Sequence, residues 1–153
     1  MYETEEQAGY AFTQSIYYDI GMIDDDLRVK VIETIDLIEN YSSNSIRFEI
    51  YVLNDKKEVE QMFYANVPSV EAEQMSFALD TISTKFSKPP KNYTEVIFSS
   101  SEGFSTGCFW YAEEKMWLMF IKTGDDENAQ KLFNANEFNN FIKLYKKAEK
   151  IFK

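Results

Sequence analysis

A chain of 153 residues, 44% hydrophobic and 16% aromatic, can bury one core, and residues 1–153 are expected to form one domain. Its 26 acidic and 16 basic residues give a formal net charge of −10, and the excess is lopsided: residues 1–80 hold 17 Asp or Glu against 5 Lys or Arg, net −12, whereas residues 81–153 hold 9 against 11, net +2. A field of that sign repels phosphates and anionic lipid, so direct nucleic-acid or membrane binding is disfavoured and basic partners are favoured.

The opening MYETEEQAGY is acidic where a secretory leader is basic and then apolar, and with a single cysteine the expected setting is cytoplasmic. Glu3 to Ile20 is expected to be helical: Ala8, Phe12, Ile16 and Ile20 recur at intervals of four and Gly21 supplies a stop. Asp24, Asp25 and Asp26 then suit the positive end of a second helix. That helix is expected to run to about Asn40, with Leu27, Val31, Ile32, Ile35 and Ile38 on its apolar side. The run YSSNS at 41–45 has turn chemistry.

From Ile46 the period changes to two. Ile46, Phe48, Ile50 and Val52 alternate with Arg47, Glu49 and Tyr51, which predicts a half-buried strand to Leu53. Asn54, Asp55 and Lys56 make a turn, and Glu58 to Val67 returns with Val59, Phe63, Ala65 and Val67 inward, completing a hairpin. Pro68 ends it. Ser69 then opens a helix with the stripe Met75, Ala78, Leu79, Ile82 and Phe86, broken by SKPPK at 87–91 because proline lacks an amide donor.

Tyr93–Ser99, Phe104–Tyr111 and Met116–Ile121 are expected to form a three-strand meander. In the last, Met116, Leu118 and Phe120 alternate with Trp117, Met119 and Ile121, and two apolar rows predict cover on both faces. Gly124-Asp125-Asp126 is expected to lead into a short helical piece through Phe133. A final helix from about Asn136 to Lys153 follows, with lysines toward its negative end. The expected architecture is therefore α+β: a five-stranded, mainly antiparallel sheet packed by helices in the order α-α-β-β-α-β-β-β-α.

The chain has no histidine, which removes the commonest general base and most zinc sites. Cys108 has nothing to activate it and is expected in the core. No glycine-rich phosphate loop occurs. The runs Asp24–Asp26 and Asp125–Glu127 offer oxygen ligands but sit where helix caps belong, so neither a metal nor another cofactor is expected. What remains is surface. An outer strand face of Arg47, Glu49, Tyr51, Glu60, Met62 and Tyr64, with Tyr17, Tyr18 and the Asp24, Asp25, Asp26 cluster, forms an acidic, tyrosine-bearing candidate partner surface.

These features point to a non-catalytic protein that binds and neutralises a basic protein, as an immunity protein, an antitoxin or an inhibitor imitating nucleic-acid charge would. In size, charge and element order the chain also resembles the small acidic chaperones of type III secretion, a resemblance that implies a homodimer escorting another protein. A carboxylate- or metal-dependent enzyme is the third reading.

Overall fold

The computed structural model describes residues 10–152. Eight strands and two helices follow in the order ββββα-ββββα. The first sheet holds β1 (Thr13–Ile23), β2 (Leu27–Asp36), β3 (Tyr41–Leu53) and β4 (Val59–Pro68). A 3₁₀ turn, Ser69–Glu71, leads into α1 (Ala72–Lys85). The second sheet holds β5 (Glu95–Ser99), β6 (Ser105–Tyr111), β7 (Met116–Lys122) and β8 (Gln130–Phe133), and α2 (Ala135–Glu149) follows. Both sheets are antiparallel with strands in sequential order. The class is α+β, but the expected five-stranded sheet and its element order are replaced by two four-stranded sheets.

The largest correction lies before residue 41. Residues 3–9 of the first expected helix lie outside the described residues, and the remainder belongs mostly to β1. The second expected helix is β2. A spacing of four is ambiguous: it returns to nearly the same side of a helix, yet as an even number it also stays on one face of a strand. Leu27, Val29 and Val31 are all buried, and this period of two is what the helical reading passed over. β-branched and aromatic residues dominate both segments, which favours strand. The three aspartates are not a helix cap but the β1–β2 turn, where Asp24 takes the left-handed conformation at φ 53° that Asp tolerates better than most residues.

The YSSNS segment is likewise strand, the first half of β3. The turn before it uses Asn40 at φ 60°, and the Asp36 carboxylate accepts from the Ile38 and Glu39 amides at 2.9 and 2.8 Å. The expected helical piece before Phe133 is β8, zipped to β7 by the pairs Met119 with Phe133 and Phe120 with Leu132. The cap signal belongs eight residues beyond Asp126: Asn134 and Glu137 form a reciprocal capping box at the start of α2.

The β3–β4 hairpin, α1, the meander and α2 lie close to where the periodicity puts them. The core is one contiguous cluster drawn from the inner faces of both sheets and from both helices. Phe48 of β3 is its hub. It stacks on Phe104 at 4.3 Å between ring centroids and meets Phe141 and Tyr145 of α2 at 5.7 and 6.4 Å. Phe133 of β8 meets the same Phe141 at 5.6 Å, so α2 bridges the two sheets. The Tyr145 hydroxyl donates to the Ala72 carbonyl at the start of α1, and Lys146 pairs with Asp80 at 2.9 Å, fixing one helix on the other.

Two polar ties also cross between the halves. Lys131 of β8 reaches the β1–β2 turn, with its Nζ 2.9 Å from both Asp24 and Asp26 carboxylates. The Glu71 carboxylate takes hydrogen bonds from Ser100 and Ser101 in the β5–β6 turn. The Ser101 hydroxyl first, with Ser100 and the Ser101 amide, holds that carboxyl below its ordinary value.

One further expectation is met only in part in the second sheet. Trp117, Met119 and Ile121 face the core, and in the opposite row of β7 Phe120 is buried and Met116 and Leu118 half-buried, yet Ile97 and Leu132 beside them stay exposed. The hollow on that face, about 260 Å³, is lined only by strand residues and by Tyr93 just ahead of β5.

Candidate protein-binding surface

At one end the first sheet outgrows its core. Neither residues 10–19 nor residues 33–45 include a buried side chain, whereas Ile20 and Ile23 at the other end of β1 pack against the core. The β3–β4 register begins at Ser45 opposite Pro68, so Tyr41–Asn44 of β3 pair with β2 on one side only. The result is a three-stranded arm made of the start of β1, the end of β2 and the start of β3. Among the described residues no strand pairs with its β3 margin, the feature to which an extended segment of another protein can add a strand.

The side chains of this arm are unusual in combination. Tyr10, Phe12, Leu37, Ile38 and Tyr41 are all exposed, Phe12 at 63% and Tyr41 at 61%. No Lys or Arg occurs between residues 10 and 27 or between 31 and 46. Glu33, Asp36 and Glu39 supply the charge here, and among the described residues no cation pairs with them. Asp36 is engaged with its own turn, and Glu33 accepts from the Tyr18 hydroxyl at 3.3 Å. Apolar groups beside uncompensated carboxylates suit a partner that is itself basic and partly apolar.

The residues anticipated for partner contact divide among three places. Arg47, Glu49, Tyr51, Met62 and Tyr64 do share the outer face of the first sheet, as the pairs Glu49 with Tyr64 and Tyr51 with Met62 require. Tyr17 joins them from β1, opposite Ile32. The face is not acidic, however. Glu49 is 2% exposed, accepts from Tyr51 at 2.6 Å and from Lys30 at 3.1 Å, and lies 3.9 Å from the Arg47 guanidinium. A carboxylate so enclosed is neutralised within the fold and projects little field. Burial first, then the Glu49 hydrogen bond, pushes the Tyr51 phenol up.

Arg47 in turn lies between two rings, 4.0 Å from the Tyr64 centroid and 5.3 Å from that of Tyr17, a cation–π sandwich that holds both tyrosines in place. Together with the Arg28–Asp19 pair, the face carries three cations against two carboxylates. Three of the five cations in residues 1–80 are therefore spent here, and none of these three pairs with Glu33, Asp36 or Glu39.

Tyr18 points the other way from Tyr17, toward the inner side near the arm. Glu60 falls at the bulge where the β3–β4 register slips between Val52 and Leu53, and it is exposed. Of the aspartates, Asp24 and Asp26 bind Lys131, while Asp25 faces Lys57 at 3.4 Å. Burial alone would lower the Lys131 amine, but its donation to the Asp26 and Asp24 carboxylates outweighs it and the net shift is upward. These carboxylates have cations already, and among the described residues no group of three or more His, Cys, Asp or Glu is placed to hold a metal ion. Cys108 is fully buried, and burial pushes its thiol up to about 11, which suits a packing role.

The arm was hidden in the sequence by the helical reading of residues 24–40. Its signal was there in the run DLIENY at 36–41, acidic and apolar at once, with Asn40 marking a turn. No helix among the described residues is long and apolar enough to cross a membrane. No protein-family model matches the chain, and no curated protein does either.

Proposed function

We propose that this chain is a non-catalytic protein-binding module, of the immunity or antitoxin kind, that captures a basic protein on its acidic arm. One observation carries the reading: the arm joins uncompensated carboxylates (Glu33, Asp36, Glu39), exposed apolar side chains (Phe12, Leu37, Ile38, Tyr41) and an open backbone edge at Tyr41–Asn44. The carboxylates accelerate encounter, the apolar groups supply affinity once water leaves, and the strand edge fixes register. The residues first singled out on the outer face, Tyr17, Tyr51, Met62 and Tyr64, form a second, more rigid zone around Arg47 that would widen the contact. A cytoplasmic setting fits a single sheltered thiol.

The chaperone reading leaned on an element order that this fold does not have, so it loses that support. The test is a paired capture from the native cell, with the wild-type chain and a variant carrying Glu33→Gln, Glu39→Gln and Tyr41→Ser as baits. The reading expects a basic protein retained by the wild type, lost by the variant and released as salt rises through several tenths molar, where the Debye length falls below about 8 Å. Equal capture by both baits, indifferent to salt, would exclude the arm as the site.

A further inference from the structure

We propose that the outer face of the second sheet joins two copies of this chain about a twofold axis through Gly107. This inference is independent of the arm and of any basic partner.

The face is apolar at its centre. Ile97, Phe109, Phe120 and Leu132 surround a hollow of about 260 Å³, and Ile97 and Leu132 remain 55% and 47% exposed. Gly107 lies between Ile97 and Phe120 in the register. Its lack of a side chain is obligatory, because a Cβ there would stand 1.9 Å from the Val96 carbonyl oxygen. The backbone of β5 thus comes close to β6 at Gly107, with the large side chains of Ile97 and Phe120 on either side. An apolar sheet face of this kind in a chain with so much charge elsewhere marks an interaction surface.

Charge selects the occupant. The face bears one anion and one cation, Glu95 on β5 and Lys122 on β7, both lining the hollow. By register Glu95 stands level with Phe109, two residues from Gly107 in one direction and one strand away. Lys122 stands level with Ser105, two residues from Gly107 in the other direction and one strand away on the opposite side. Glu95 and Lys122 are therefore diagonal, with Gly107 at their midpoint. A twofold axis lying in the face through that midpoint, perpendicular to the Glu95–Lys122 diagonal, exchanges them, so each copy sets its Glu95 over the other's Lys122 and the two apolar rows cross at Gly107. A self-complementary pattern is what an isologous interface requires. The wider charge distribution agrees: residues 81–153 carry net +2 and residues 1–80 net −12, so apposing second sheets brings the nearly neutral halves together and keeps the acidic halves apart.

The experiment is sedimentation equilibrium over a concentration series, with wild type, Ile97→Asp, Glu95→Lys, Lys122→Glu and the double charge exchange. Wild type should dimerise. Ile97→Asp should weaken the dimer at least about 100-fold, each single charge change about tenfold, and the double exchange should return to within about threefold of wild type. That rescue cannot come from a folding defect, and it holds the test even if Ile97→Asp folds poorly. A wild type that stays monomeric up to about 1 mM, a dimer unmoved by these changes, or a double exchange no better than the singles would overturn the proposal.

Discussion

The first sheet, β1–β4, and the second, β5–β8, have the same antiparallel order and are each followed by a helix that packs on an inner apolar face. Their outer faces are finished in opposite ways. The first covers its outside with a closed network of Arg28, Lys30, Arg47, Glu49 and three tyrosines, and then extends past its core as an acidic arm. The second leaves Ile97, Leu132 and a hollow beside them without any such network. Shared inner chemistry fixes the fold, and the outer rows, which the core does not constrain, are where the two sheets are free to serve different contacts.

The most drastic way to break this comparison is through the core that both sheets share. Phe48→Ala removes the ring that meets Phe104, Phe141 and Tyr145, and should cost about 3–5 kcal/mol. Because Trp110 and Trp117 sit in the second sheet, their fluorescence reports whether a lesion in the first sheet unfolds the second. One shared transition is expected; a tryptophan transition left at its wild-type midpoint would mean that the sheets fold separately.

A smaller effect comes from the tie between sheets. Lys131→Met should cost about 1–2 kcal/mol, toward the low end because the carboxylates it meets are partly exposed. Since the amine is raised in the folded state, its contribution is complete below the ordinary lysine value and fades as pH climbs through the raised one. The gap in stability between wild type and Lys131→Met, followed by urea unfolding, should therefore close at strongly alkaline pH. A gap independent of pH would assign the loss to packing.

Tyr145→Phe should cost about 1 kcal/mol at neutral pH for the hydrogen bond to Ala72. Burial first, and Glu149 second, push this phenol up, so the wild type loses stability as pH rises past the ordinary tyrosine value. The variant lacks that group and should narrow the difference on the alkaline side. At the small end, Glu33→Gln with Glu39→Gln on the arm should leave the unfolding free energy within about 0.5 kcal/mol of wild type, as befits side chains that no cation among the described residues engages. A larger loss would give the arm a role in stability.

Legibility in the sequence follows the same division. Where one face is buried and the other wet, as in β3 and β4, strict alternation located the strands and set Arg47, Glu49, Tyr51, Met62 and Tyr64 on a common face. Where the apolar spacing was four, as in Phe12 and Ile16 or Leu27 and Val31, strand and helix shared one signature, and the aspartates that suit a helix cap suit a tight turn as well. Alternation also placed Glu49 outward but could not foresee that Lys30 and Tyr51 would close over it, since those contacts depend on strand pairing across the sheet. The arm became visible only with the register, because an open edge is a property of which strand stops first. Two apolar rows in β7 predicted cover on both faces; Trp117, Met119, Ile121 and also Phe120 are buried, whereas Leu118 is only half-buried.

The central claim, that the arm takes the partner while the second sheet does not, is tested most directly by amide hydrogen exchange on the captured complex. The account predicts new protection at Tyr41–Asn44 and in the neighbouring ends of β1 and β2, with no change over residues 95–99 and 118–132 beyond that of the free chain. Protection gained on the second sheet, with the arm exchanging as freely as before, would contradict it.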